Sequence, residues 1–266
     1  MASTLSEISL KHDACLIALE KVVKLLQPFA DDFVMVGGWV PYFLTQVDEG
    51  GLEHPGSADL DFAFDPSRIT LQRRAEIFEA LVRGGCKVRT LVEDIYIPMS
   101  FVMNVPFRGR RVPVAIDILG LEDPGQHVIA KRHLKLALKQ SEKLKVNVGK
   151  RRFEIRVSGA AATFALKALA FGSRKNGKDA WDMFYLISFY RGGVDELAKE
   201  VRALMKGTVM RQTIQSVTHW FSSPGAIGPR SAAQFANPGG NASAQSILAG
   251  QVYAAFESFL LKVNQL

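Results

Sequence analysis

Apolar residues recur at helical spacing near the start of the chain, with Leu16, Leu19, Val22, Val23, Leu25 and Leu26 on one stripe. The pattern predicts a helix over residues 7–28, ended by Pro28. The run "DDFVMVGGWV" then holds a short buried strand, Phe33 to Val36, that meets Gly37 and Gly38. Pro41 suits a first turn, so "WVPYFLTQV" reads as a helix that begins behind the glycines. "DEGGLEHPGS" is a loop, and "ADLDFAFD" alternates with period two as the next strand. Residues 70–84 return to helical spacing, and residues 84–121 hold two or three more strands, with "FRGRR" as a hairpin turn. Strands and helices mix without a strict βαβ rhythm, which places this half in the α+β class.

The character changes near residue 127. A basic helical stretch precedes "KRRFEIRVS", a short strand; "SGAAATFALKALAF" reads as a buried helix with Ser158 as its N-cap. "GKDAWDMFYLISFY" is a second helix, carrying Trp181, Phe184, Tyr185 and Ile187. Residues 222–246 are rich in Gly, Pro, Ser, Ala and Asn, which predicts a mobile loop, and a final helix spans about 245–263. The expected division is a catalytic domain over 1–126 and a mainly helical domain over 127–266. No internal repeat is visible. No apolar run approaches the ~18 residues of a spanning helix, and the N-terminus is amphipathic. A cytoplasmic protein without a membrane partner is expected. Cys15 and Cys86 lack metal-like spacing and read as free core thiols. No long heptad stretch occurs, which favours a monomer.

Charge sharpens the picture. The chain carries a formal +7, yet residues 131–156 alone hold ten Lys or Arg against Glu142 and Glu154, a local +8. So concentrated a patch attracts polyanions, RNA among them. Lys131, Arg132, Lys135, Lys139, Lys150, Arg151 and Arg152 are its candidate contacts, and a solvated helix face is the alternative.

The candidate chemistry lies upstream. Residues two apart on a strand point the same way, about 6.6 Å apart, so Asp59 and Asp61 project together while Leu60 and Phe62 face the core. Adjacent carboxylates repel, and a shared proton or divalent cations relieve the repulsion. Mg²⁺ takes oxygen ligands and leaves positions for water and phosphate; two ions ~3.5–4 Å apart can hold both the attacking and the leaving oxygen of a phosphoryl-group transfer. In "VPVAIDIL", Asp117 stands in a strongly apolar strand, where an unpaired charge is costly. If that strand lies beside residues 58–65, Asp117 completes a three-acid set and can take the proton of an attacking hydroxyl. Gly37, Gly38 and a helix start suit a triphosphate, and Ser57 adds a hydroxyl. A Gly-Gly turn or a D-x-D strand edge is commonplace alone; the combination in this order is not.

Gly37-Gly38, a helix of about three turns, Ser57-x-Asp59-x-Asp61 and a later Asp117 strand together resemble the nucleotidyltransferase superfamily of DNA polymerase beta type. The gap of 20 residues between Gly38 and Asp59 is longer than in small members. "FALKALAFGSRKNGKDAWDMFYLI" is similar to a segment of AbiEii-type and MenT-type nucleotidyltransferases, which include toxins of toxin–antitoxin pairs. The resemblance covers roughly residues 30–190. It implies a polymerase-beta-like catalytic domain with a mixed sheet, Mg²⁺ (two ions) as cofactor and an NTP as substrate. It also implies a possible cognate antitoxin. In its terms Asp59, Asp61 and Asp117 hold metal, and Gly37, Gly38 and Ser57 bind nucleotide. Lys167, Lys178 and Asp182 join the catalytic set, and Arg174 and Asp179 the nucleotide site; which lysine meets phosphate stays open. Lys178 and Asp182 are also i,i+4 neighbours that an ordinary ion pair accounts for, although Asp182 has an apolar setting. The function this implies is NMP transfer to an RNA, with the tRNA 3′ end as the leading acceptor. A small-molecule acceptor, as in aminoglycoside nucleotidyltransferases, fits the basic stretch poorly. A protein acceptor stays open. A non-catalytic antitoxin or binding protein fits poorly with three retained acids. His54, near the aspartates, is weighed as a phosphate or substrate contact and read instead as a loop histidine without a role.

Overall fold

The computed structural model describes residues 5–46, 54–65, 69–92, 95–120, 129–130, 133–148 and 151–265. The fold is α+β: a mixed sheet with helices. The chain divides into two compact units, each discontinuous in sequence. One comprises Glu7–Val40 and Gly56–Gly159; the other comprises Met1–Ser6, Pro41–Pro55 and Ala160–Leu266.

The first unit carries the sheet. Its strands are β1 (Val34–Val36), β2 (Asp59–Phe64), β3 (Lys87–Val92), β4 (Ile95–Phe107), β5 (Arg110–Gly120), β6 (Ile129–Ala130), β7 (Ser141–Val148) and β8 (Arg151–Ser158). They run in the order β3-β4-β5-β2-β1-β8-β7, with β6 on β5. Antiparallel β4 and β5 meet through Arg108 and Gly109, both with positive φ, as a two-residue turn of the twist-matched kind requires. Then β2 lies parallel to β5 and antiparallel to β1, and β1 is parallel to β8. Residues Leu60, Phe62, Val114, Ile116 and Ile118 are buried, as their alternation predicts. Helices α1 (Leu5–Leu26) and α3 (Leu71–Arg83) flank these strands in sequence, with a 3-10 turn over Gln27–Asp32. Thr70 caps α3, its side chain accepting from the Arg73 amide. Burial pushes the Cys15 thiol up to about 12 and the Cys86 thiol to about 11, so both stay protonated and inert.

Four expectations need correcting. Helix α2 (Trp39–Leu44) has six residues, under two turns rather than three. The basic stretch holds only a short helix, α4 (Leu134–Lys139); beyond it, β7 and β8 form an antiparallel hairpin. Leu144 and Val146 face inward and alternate with exposed Lys143, Lys145 and Asn147, a period of two. Ser158 ends β8, and the residue directly before α5 (Ala160–Arg174) is Gly159.

The second unit is helical, with α5, α6 (Gly177–Phe189), α7 (Gly193–Leu204), α8 (Thr208–Trp220), α9 (Ile227–Ala236) and α10 (Ala242–Gln265). The segment 222–246, expected to be a mobile loop, contains α9 and the start of α10. Its small residues are what close packing requires. A Cβ on Gly177 would collide with the carbonyl oxygen of Ser231 and touch Phe235 Cβ at 3.0 Å, so α6 and α9 meet backbone to backbone. A Cβ on Gly228 would lie 2.6 Å from the Phe221 ring, which itself stacks on Phe256 with centroids 3.6 Å apart. Among the described residues no helix is long and apolar enough to cross a membrane.

Gly177→Ala should lower the melting temperature by roughly 2–10 °C, because a methyl forced against backbone cannot be absorbed by side-chain movement. Scanning calorimetry measures this; an unchanged transition would mean that α6 and α9 separate at no cost.

Candidate functional site

The sequence candidates fall into two groups, one in each unit. In the first unit, parallel pairing places Asp61 directly opposite Asp117 and Asp59 opposite Ala115. Paired residues on neighbouring strands share a face, with strands ~4.8 Å apart. All three carboxylates therefore stand on one side of the sheet, and all three are half-buried. The other side of β2 and β5 is core, which is why these strands stay in register: a one-residue slip would drive the acids inward.

The glycines complete this arrangement. Val36 of β1 pairs with Asp61, and Gly37 follows with φ +80°. A Cβ at Gly37 would overlap the Oδ2 atom of Asp61. Glycine is needed there twice over, for the left-handed backbone and for the carboxylate that lies against it. Gly38 is buried beside it.

Each outer carboxylate has its own donors. The buried Ser57 hydroxyl donates to Asp59 Oδ1. Asp117 Oδ1 accepts from Ser100 Oγ at 2.5 Å and from Arg89 Nη1 at 3.2 Å. Among the described residues no group of three or more His, Cys, Asp or Glu side chains is gathered into a metal cage. The donor set still fits a hard divalent cation in kind, with carboxylates and a hydroxyl on one face and Asp61 seated in a space that any side chain at Gly37 would fill.

In the second unit the candidates form a buried ionic cluster built by α5 and α6. Asp182, fully buried, accepts from Lys167 Nζ at 2.5 Å and from Lys178 Nζ at 3.0 Å. Lys178 and Asp182 are i,i+4 on α6, so the helix itself sets that pair. Asp179, also fully buried, accepts a bidentate fork from Arg174 at 2.7 and 2.8 Å and lies 3.7 Å from Lys167 Nζ. Burial alone would raise the Asp182 pKa, but Lys167, Lys178 and a hydrogen bond from His54 outweigh it and hold the carboxyl well below its ordinary range. Burial would likewise lower the Lys167 pKa; the Asp182 and Asp179 carboxylates outweigh it and raise it. Through these contacts three cations face two carboxylates: Lys167, Lys178 and Arg174 around Asp179 and Asp182. Neither lysine is a free surface ammonium: Asp182 fixes both.

His54, read from sequence as idle, belongs to this cluster. The residue is 4% exposed, and its ring packs edge-on against Tyr185 at 4.9 Å and lies 2.9 Å from Asp182 through Nε2. A carboxylate only accepts, so Nε2 carries the proton and donates. Burial, seconded by Lys178 and Lys167, pushes the imidazole down to about 4 against the pull of Asp182. No sequence spacing links His54 to a residue 128 positions away. The one available signal was its place in the loop leading to Ser57.

Of the basic candidates, Lys135, Lys139 and Arg152 are exposed. Arg151 opens β8 with its side chain outside the described set, and Lys131, Arg132 and Lys150 lie outside the described residues. The hairpin adds Lys143 and Lys145 as exposed cations, with half-buried Arg156 opposite Lys143.

A comparison with curated proteins finds no match. A comparison with protein families does: the family model described as "Nucleotidyl transferase AbiEii toxin, Type IV TA system" matches residues 25–244. The matched span contains every candidate residue of both clusters.

The cluster makes stability depend on pH in a definite direction. His54 is neutral when folded above pH about 4 and ordinarily titrates near 6.5 when unfolded, so the unfolded chain binds the extra proton between these values. Stability should therefore fall as pH drops from 6.5 towards 4, by on the order of 3 kcal/mol. The depressed Asp182 adds a further loss only below the ordinary carboxylate range. Melting curves of wild type and His54→Gln, which keeps a donor without a titrating ring, should diverge across that window. Parallel pH profiles for the two proteins would refute the assignment.

Proposed function

Since the chain belongs to the AbiEii nucleotidyl transferase toxin family, and is thereby a nucleotidyltransferase, we propose that it transfers NMP from an NTP to an RNA, with the tRNA 3′ end as acceptor. The observation that carries the reading is the set of Asp59, Asp61 and Asp117 on one face of adjacent strands, with Gly37 cut to the shape of the Asp61 carboxylate.

In this reading Asp59 and Asp61, with Asp117 beside them, hold Mg²⁺, two ions in the full complement. Bound there, the metal supplies charge stabilisation for the attacking and leaving oxygens. Ser57 orients Asp59 through its hydroxyl, and Gly37 and Gly38 admit the triphosphate close to backbone. Asp117 takes the proton of the acceptor hydroxyl as its oxygen attacks the α-phosphorus. A new O–P bond forms, the bond from the α-phosphorus to the bridging oxygen breaks, and pyrophosphate leaves with the electron pair. Within the helical unit, Asp182 and Asp179 hold Lys167, Lys178 and Arg174 in place. The family description names a Type IV toxin–antitoxin system, which implies a cognate antitoxin. We place the protein in the cytoplasm as a monomer.

An RNA acceptor is favoured over a small cationic molecule by the local +8 of residues 131–156 and by the exposed Lys143 and Lys145 on β7. An acidic pocket would suit the small acceptor. Incubation with each labelled NTP, Mg²⁺ and bulk tRNA is expected to label RNA. Asp59→Ala should reduce the rate by about 10²- to 10³-fold or more, the loss of several kcal/mol of metal-borne stabilisation. Label on a small molecule or on protein would replace the acceptor; no label with any NTP would sink the transferase reading for this chain.

RNA affinity should fall steeply with salt. Lys143→Gln with Lys145→Gln should reduce the slope of log K against log salt by about 1.5–2. A double variant with an unaltered slope would remove β7 from the interface.

A further inference from the structure

Asp117 is not held as a symmetric metal ligand. Among the described residues, both hydrogen bonds to its side chain converge on one oxygen, Oδ1: Ser100 Oγ at 2.5 Å and Arg89 Nη1 at 3.2 Å. Arg89 Nη1 also donates to Ser100 Oγ at 3.2 Å. Arginine cannot accept, so the one proton of the Ser100 hydroxyl must go to Asp117, and the three groups close into a directed triangle. Among the described residues no hydrogen bond or ion pair reaches Oδ2 of Asp117.

The backbone is shaped to make this triangle. Ser100 is the direct cross-strand partner of Asp117 and is wholly buried. Next to it, Met99 adopts φ +53°, a left-handed conformation that costs a non-glycine residue on the order of 1–3 kcal/mol. The pairing of β3 with β4 also breaks at this point, passing from Val88↔Phe101 to Thr90↔Tyr96. Arg89 sits inside that break. Irregularities of this kind re-aim side chains beside active sites, and here the re-aimed side chain is the one that reaches across β4 to β5. A regular pairing and a relaxed Met99 would be more stable locally, so the strain calls for a function.

We propose that Arg89 and Ser100 are positioning residues of the transfer reaction. By fixing Oδ1 of Asp117, they leave Oδ2 as the oxygen that would receive the proton of the acceptor hydroxyl. The inference rests on the transfer site argued above and assigns two residues that lie outside the Gly-Gly, Ser-x-Asp-x-Asp and Lys–Asp motifs. Arg89 touches neither nucleotide nor acceptor in this scheme; it acts through Asp117. It also offsets one of three like charges on that face of the sheet, while remaining 39% exposed itself.

The test compares the full chain with Arg89→Met, Arg89→Lys, Ser100→Ala and Asp59→Ala, by steady-state transfer and by electron paramagnetic resonance titration with Mn²⁺ alone. Arg89→Met and Ser100→Ala should each lose about 10- to 100-fold in kcat with KM for the NTP unchanged. Arg89→Lys, which keeps the charge and one donor, should recover part of the loss. Ser100→Ala, which removes a hydroxyl and no charge, should bind Mn²⁺ about tenfold more weakly. A folded Arg89→Met protein with wild-type kcat overturns the proposal, as does a change confined to KM. If Arg89→Met does not fold, Ser100→Ala decides alone: wild-type kcat and Mn²⁺ affinity in that variant overturn it. If Asp59→Ala abolishes transfer and Mn²⁺ binding while both positioning variants behave as wild type, only this proposal fails. If Asp59→Ala itself leaves both unaltered, the transfer site is wrong and the proposal falls with it.

Discussion

Like charges cannot be gathered on a sheet unless something else fixes the strands that carry them. In this protein the fixing is done by the opposite face: Leu60, Phe62, Val114, Ile116 and Ile118 are buried on the far side of β2 and β5. Each buried aliphatic or aromatic side chain contributes on the order of 1.5–3 kcal/mol, enough to overcome the repulsion of half-buried carboxylates behind it. Register follows from that burial, and the Asp61–Asp117 juxtaposition follows from register. Ser57, Ser100, Arg89 and the missing side chain of Gly37 then set how each carboxylate is held.

The second cluster reaches a related end by the reverse route. There the carboxylates are wholly buried and the cations surround them. A buried ion pair repays its desolvation only when the remaining lone pairs are satisfied, and Asp182 meets that condition with two lysines and a histidine. Removing any one donor would leave the others mismatched. The neutral state of His54 belongs to the same balance, since a third positive charge on Asp182 would face two ammonium groups already in place.

What could be read from sequence was whatever repeats locally. The alternation of "ADLDFAFD" and "VPVAIDIL" gave both strands and the side on which the acids stand, and the i,i+4 spacing of Lys178 and Asp182 gave their contact. Long-range partners were not legible: Arg89 with Asp117, and His54 with Asp182, have no periodic signature. Strand β7 was misread because its lysines drew attention away from Leu144 and Val146, whose period of two is plain once charge is ignored; its partner β8 was read as a strand. Composition misled over residues 222–246. Glycine and alanine there mark helices in close contact, as Gly228 against Phe221 shows, whereas the same residues in a polar context mark a loop.

The interleaving of the two units bears on how the chain is made. Strand β1 is complete early in synthesis, yet its parallel neighbour β8 emerges more than a hundred residues later, since Met35 pairs with Val157. The stretch Pro41–Pro55 likewise precedes the helices with which it forms a unit, so the ring of His54 is synthesised long before Asp182. Pairings this distant in sequence are slow to form and leave an apolar strand edge waiting. A nascent chain therefore has no finished lysine–aspartate cluster until residue 182 has been synthesised and α6 has formed.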